Sequence, residues 1–283
     1  MLLGMFCYSA ADTSAKFLTD DLDPLQIVWS RQMGLTVGVL VLLAVRGLGV
    51  LRTTHPKLQI TRGVMAACSA TLFVVALQYV PLAVAVAVSF VAPFCVTVLG
   101  ALVLKERVGL RRWLAVLIGF VGMLIVVRPG MGVVHPGALL VVAAAFFFAV
   151  RQIISRVLGA SDNTETTITY TAFASVVLLT IPQPFVWTTP TQPEQYVALL
   201  VLAVMAAIGE ILVIKALEIA QAVALAPTHY SLIIWSTFYG FVVFNHLPDF
   251  WTLFGAAVIM ASGLYTLHRE RAASRIRPDI DGG

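Results

Sequence analysis

Charge is scarce in this sequence: of 283 residues, only 11% are Asp, Glu, Lys or Arg. A water-soluble chain carries about a quarter, so a wholly dissolved surface is excluded. Cysteine is nearly missing too. Cys7, Cys68 and Cys95 are scattered through apolar sequence with neither disulfide nor metal spacing, which leaves them as small packing residues. The histidines at 55, 135, 229, 246 and 268 show no ligand spacing. No Gly-rich phosphate loop ending in Lys-Ser or Lys-Thr occurs, and no two histidines four apart flank an acid. No nucleotide, metal or other cofactor is therefore implied, and an intramembrane enzyme has no motif to stand on. The basic residues are split among many short segments rather than gathered in one stripe, which argues against nucleic acid as a partner.

What the chain has instead is hydrocarbon. Hydrophobic residues make up 60% of it, and the mean hydropathy is +0.95. In a bilayer, backbone polar groups must be satisfied within the protein, so only helices or a closed barrel can span. Long unbroken apolar runs select helices. From Gly63 to Leu104 there are 42 consecutive uncharged residues, which as one helix would reach roughly 63 Å at the standard rise. A bilayer core is about 30 Å thick, so this run is two spans. The break belongs at Tyr79-Val80-Pro81, where proline removes a donor and restricts the residue before it.

The same reasoning predicts an all-α integral membrane protein with ten transmembrane helices, near 1–18, 25–45, 62–79, 82–104, 112–128, 136–156, 166–186, 196–214, 222–244 and 250–268. The first span is not a signal peptide: it lacks a basic leader, and Asp12 and Lys16 interrupt its apolar part. Its surroundings are the lipid bilayer. Arg46, Arg52, Lys57 and Arg62 follow the second span, Lys105, Arg107, Arg111 and Arg112 the fourth, and Arg269, Arg271, Arg275 and Arg277 the tenth. The opposite loops, Asp20-Asp21-Leu22-Asp23 and Thr188–Gln195, have no Lys or Arg, and Arg128 is the exception. The positive-inside rule then places both termini in the cytoplasm of a multi-pass inner-membrane protein. The net charge of +4 reflects this topology.

Laid on itself at an offset of 140, the chain matches Ala76-Leu77 to Ala216-Leu217, Thr97 to Thr237, Gly100 to Gly240 and Val103 to Val243. Five helices per unit force the second copy to enter the membrane from the other side. The expected fold is thus an inverted repeat of two five-helix halves, residues 1–130 and 131–268, with a cytoplasmic tail at 269–283.

Several segments resemble the EamA branch of the drug/metabolite transporter superfamily. In the first half these are Ala76-Leu77-Gln78-Tyr79, Ser89-Phe90-Val91-Ala92-Pro93-Phe94, Lys105-Glu106-Arg107, Gly119-Phe120-Val121-Gly122 and Arg128-Pro129. In the second they are Ala216-Leu217-Glu218, Ala226-Pro227-Thr228-His229-Tyr230, Phe244-Asn245-His246-Leu247-Pro248-Asp249, Gly255-Ala256-Ala257 and Gly263-Leu264-Tyr265. The chain departs from the family at His246, where a second glutamate is usual. The resemblance implies ten helices around a central cavity and alternating access without ATP. Asp12-x-x-x-Lys16 and Arg31 are similar to the subgroup that contains riboflavin and S-adenosylmethionine uptake carriers. That resemblance implies a small-molecule substrate, riboflavin first, with S-adenosylmethionine or an amino acid as the alternative, coupled or not to a proton or ion, in a monomer or homodimer. A channel would want continuous polar stripes rather than isolated charges.

Ionisable groups inside spans carry the chemistry, since each costs at least about 2.5–3.5 kcal/mol at the bilayer centre. The candidates for substrate binding or gating are Asp12, Arg31, Arg151, Glu210, His229, Tyr230 and Phe90. Lys16 and Lys215 read as side chains reaching for a nearby interface. Counted along the spans, Asp12, Lys16 and Arg31 share the outer half, and Arg151, Glu210 and His229 the inner half. Pro93 and Pro227 are expected to kink the fourth helix of each half, with Gly34-x-x-x-Gly38 and Gly119-x-x-Gly122 packing inside the bundle.

Overall fold

The computed structural model describes the chain apart from residues 106–108, 129–136, 160, 220–227 and 277–283, and apart from the side chains of 111–112, 214, 217–219, 266–267 and 269–276. The family-like Glu106, Arg107, Pro129, Ala226 and Pro227 therefore lie outside the described residues, as do the side chains of Arg111, Arg112, Glu218, Arg269, Arg271 and Arg275 and all of Arg277. The described residues form helices and no strand. In chain order these are α1 (Leu2–Leu18), α2 (Pro24–Arg46), α3 (Pro56–Leu77), α4 (Leu82–Ser89), α5 (Ala92–Val103) and α6 (Leu110–Val127). After them come α7 (Gly137–Leu158), α8 (Thr164–Thr180), the single turn α9 (Gln183–Val186), α10 (Pro193–Ile219), α11 (Ser231–Phe244) and α12 (Phe250–Ile276).

Among the described residues, five stretches are long and apolar enough to cross a bilayer: Pro24–Arg46, Pro56–Leu77, Leu82–Val103, Gly137–Leu158 and Pro193–Val213. Three shorter apolar helical stretches, Trp113–Val127, Ser231–Phe244 and Phe250–Tyr265, accompany them. Leucine, valine and phenylalanine side chains cover much of the surface, while Ser9, Gln26, Gln59, Thr169, Ser175 and Ser236 are fully buried. That inversion of the soluble pattern is what hydrocarbon as solvent demands.

Local chemistry sets the helix ends. Asp23 caps α2 by accepting from the Leu25 backbone N–H at 2.8 Å, ahead of Pro24, which has no N–H to leave unpaired. The expected break at Pro81 is present, between Leu77 and Leu82. Pro93 also interrupts its span. It cannot donate to the Ser89 carbonyl, so α4 ends there, and the backbone tightens through Phe90→Ala87 and Val91→Val88 bonds before α5 starts. Three expected boundaries change, and the largest change is at α12, which continues past 268 to Ile276. α3 starts at Pro56, so Arg62 is inside a helix and not in the preceding loop. The span expected over 166–186 stops at Thr180, where Ile181-Pro182 turns the chain into α9.

The principal packings are α1 on α10, α3 on α7, α6 on α12, α3 on α8, α2 on α10, α2 on α8, α1 on α11 and α5 on α7. Glycine permits the closest of them. A Cβ on Gly34 would stand 2.2 Å from the Ala203 carbonyl oxygen of α10, and one on Gly63 would stand 2.6 Å from the Ala174 Cβ of α8. Gly122 and Gly255 face each other across α6 and α12. Gly34→Ala must push α2 off α10, and overpacking of this kind costs about 1–3 kcal/mol. Gly38 has nothing within 4 Å of its added Cβ, so Gly38→Ala should be neutral or slightly stabilising. Thermal unfolding of the two detergent-purified variants should separate them clearly.

Candidate functional site

Tyr8 and Asp12 are four residues apart on α1, hence on one face. Asp12 accepts from Arg31 of α2 at 2.7 Å, with side-chain exposures of 9% and 19%. Exclusion of water makes this a pair whose two members depend on each other. The Arg31 guanidinium lies 5.9 Å from the centre of the Tyr8 ring. The Tyr8 hydroxyl in turn donates to the Glu210 carboxylate of α10. Glu210, Tyr8, Arg31 and Asp12 thus form one continuous polar chain joining α10, α1 and α2. The counted depths separated Asp12 and Arg31 from Glu210. The structure joins the two sets: α1 and α10 pack together, and Tyr8 bridges them.

Arg151 of α7 adjoins this chain. Its guanidinium sits 4.7 Å from the centre of the Phe148 ring, and its charge acts on Tyr8 and on Arg62. Arg62 donates to the Ser155 hydroxyl at 2.6 Å and to the Thr171 hydroxyl. Phe90, at the α4–α5 break, meets Tyr230 edge-on with ring centres 5.2 Å apart, so these two candidates do come together. His229 does not join Arg151 and Glu210. It is exposed, and no hydrogen bond or ion pair ties it to them among the described residues.

Lys16 has a different task from the one expected. Its ammonium donates to the Leu77 carbonyl at 2.8 Å and the Val80 carbonyl at 3.1 Å. The Leu77 carbonyl is the helical acceptor to which Pro81, lacking an N–H, cannot donate, so Lys16 satisfies an oxygen that the span break leaves orphaned. Arg128, the basic exception on the acidic side, pairs with Asp249 and so ties the end of α6 to the start of α12.

Both ends of the bundle are fastened. At one, buried Gln59 donates to Asp162 at 2.7 Å, and Thr53 donates to the same carboxylate. At the other, buried Gln195 donates to Asp21 at 2.9 Å, while Gln26 and the Thr188 backbone exchange two bonds of 2.8 Å. Hydrogen bonds hold the Asp162 carboxyl below its ordinary value, the one from Thr53 first and those from Gln59 and the Thr54 backbone after it. A depressed folded value means that this fastening stabilises the protein above the ordinary carboxylate pKa of about 4 and is lost as pH falls through the folded value. Asp162→Asn should therefore flatten the acid limb of a stability-against-pH curve.

The family pattern of the EamA-like transporter family matches residues 1–128 and again 135–267. The chain belongs to that family. It is a membrane transport protein, and its relatives carry diverse cargo. An S-adenosylmethionine uptake transporter of Rickettsia bellii (strain RML369-C) is 28% identical over 275 residues, covering 96% of this chain and 93% of the relative. A riboflavin transporter of Vibrio cholerae serotype O1 is 29% identical over 249 residues, covering 86% and 83%. A pseudopaline exporter of Pseudomonas aeruginosa is 26% identical over 265 residues, covering 92% of each. A solved crystal structure superposes with a TM-score of 0.64 at 17% identity, over 95% of this chain and 98% of that one, which supports the fold alone. With this family and these relatives, the chain points away from an enzyme and towards a transporter of a small metabolite.

Proposed function

We propose that this EamA-family protein is a ten-span secondary carrier built from two inverted five-helix halves, with both termini in the cytoplasm of an inner membrane. Counting α4 and α5 as one interrupted span and leaving out the single turn α9, the described helices come to ten. The packing supports the symmetry. Exchange α1, α2, α3, α5 and α6 for α7, α8, α10, α11 and α12, and each of the principal packings becomes another of them. The α1–α10 packing becomes α7–α3, α2–α10 becomes α8–α3, and α1–α11 becomes α7–α5, whereas α2–α8 and α6–α12 map onto themselves.

The observation that carries the transport mechanism is the chain Asp12–Arg31–Tyr8–Glu210, one buried and three half-buried side chains, which crosses the seam between the halves. Charges kept at this cost inside a membrane protein mark a substrate path. They also bear on the cargo. Riboflavin, placed first on sequence resemblance, is an uncharged planar molecule that does not call for them, whereas S-adenosylmethionine carries charges of both signs. We therefore place S-adenosylmethionine ahead of riboflavin, in keeping with the Rickettsia bellii relative's coverage of 96% of the chain. Uptake of each labelled compound into proteoliposomes tests the order, and saturable riboflavin uptake without S-adenosylmethionine uptake would reverse it.

The orientation has its own test. Single cysteines placed in a cysteine-free background at 53, 105 and 191 should label from outside the cell only at 191. Outside labelling at 105 would overturn the topology.

A further inference from the structure

Five described lysine and arginine side chains are half-buried: Lys16, Arg31, Arg62, Arg128 and Arg151. Four of them are provided for. Lys16 holds two carbonyls, Arg31 holds Asp12, Arg62 holds two hydroxyls, and Arg128 holds Asp249. Arg151 is different. Among the described residues no acceptor or acid meets its guanidinium, and its Nε, like that of Arg128, is buried without a partner. The face of Phe148 lies against it, 4.7 Å from ring centre to guanidinium carbon. A half-buried guanidinium without a counter-ion is costly inside a membrane protein, and its fork of donors is shaped for a carboxylate.

The surroundings define the ligand further. Arg62 places a second cation in the same neighbourhood, and Glu210 acts on the same Tyr8 and Arg62 that Arg151 acts on. A positive corner therefore stands beside a carboxylate. A doubly charged phosphate would be repelled by Glu210, whereas a group with a carboxylate at one end and an ammonium at the other satisfies both sides.

Resting on the carrier reading above, we infer that Arg151 is the carboxylate-binding residue of the transport site, that Glu210 receives the ammonium, and that the cargo carries an α-amino-acid end. Phe148 fixes the plane of the guanidinium from behind. Arg31 and Asp12, already paired with each other, do not compete for the ligand.

The test is binding to the purified full-length protein, with S-adenosylmethionine, its decarboxylated analogue and riboflavin as probes, beside proteoliposome uptake of the same three. Wild type should bind S-adenosylmethionine about ten- to a hundredfold more tightly than the analogue, the range of one charge-assisted bond. Arg151→Gln should lower S-adenosylmethionine to the analogue's level while leaving the analogue's own affinity within about twofold. Arg151→Lys, with charge but no fork, should fall between. Equal wild-type affinity for the two compounds, or loss of both in Arg151→Gln, would overturn the assignment and make Arg151 structural. Riboflavin uptake without S-adenosylmethionine binding would overturn it while the carrier reading stands. Arg151-dependent binding without uptake of any probe would sustain it while the carrier reading fails. No binding and no uptake of any probe would remove both.

Discussion

Arg31→Ala is expected to abolish uptake, by a hundredfold or more, and to lower stability by about 3–5 kcal/mol, the usual cost of breaking a buried pair. Asp12 is only 9% exposed in its side chain and takes its hydrogen bond from Arg31, so the substitution leaves a carboxylate with no counter-ion. The same few kilocalories exceed what separates the two states of a balanced carrier, and would hold it almost wholly on one side. The double variant Asp12→Ala/Arg31→Ala removes both charges and should recover much of the stability without recovering uptake. Thermal unfolding in detergent and uptake per reconstituted molecule read the two effects separately. If the double variant transports normally, the pair serves the fold alone.

Several parts of this picture were legible in the residues. A 42-residue uncharged run is too long for one crossing, and proline has to break it, so the boundary at Pro81 followed from length and backbone chemistry. The Pro93 interruption and the packing of Gly34 and Gly122 inside the bundle followed in the same way. Arg62 was misplaced because a charge at the edge of an apolar window reads as loop. Ser155 and Thr171, far along the chain on α7 and α8, supply the partners that make its burial tolerable. Lys16 was misread for the same reason: the oxygen it satisfies belongs to Leu77, whose need is created by a proline four residues further on.

Tyr8 left the faintest trace. A tyrosine in an apolar helix is ordinary, and only its spacing of four from Asp12 points to a shared face. Its hydroxyl nevertheless decides the architecture of the site, because depth counted along each helix ignores how the helices cross. The fastenings at the two ends were hidden more deeply. Gln59 and Gln195 each lie near the start of a helix, and Asp162 and Asp21 each lie in a turn of the other half. Nothing local marks any of the four. Their correspondence emerges only when the contacts of one half are exchanged for those of the other.

Glu210→Ala is the second substitution expected to abolish uptake. It strands the Tyr8 hydroxyl and removes the carboxylate whose charge offsets that of Arg62, leaving that corner of the interior more positive. Glu210→Gln separates shape from charge, because an amide oxygen still accepts from Tyr8 while the negative charge is gone. If the charge holds the ammonium end of the cargo, Glu210→Gln should lose at least about tenfold in uptake efficiency, with most of the loss in apparent affinity. Tyr8→Phe removes a hydrogen bond and leaves the carboxylate in place, so a loss of only about 0.5–1.5 kcal/mol in stability and a few-fold in uptake is expected. Wild-type uptake in Glu210→Gln with failure in Tyr8→Phe would reverse these roles, making the hydroxyl and not the charge the element that the cargo needs. Near wild-type uptake in both Glu210→Ala and Arg31→Ala would leave the polar chain as a brace between α1, α2 and α10, and the transport path would have to be sought elsewhere in the bundle.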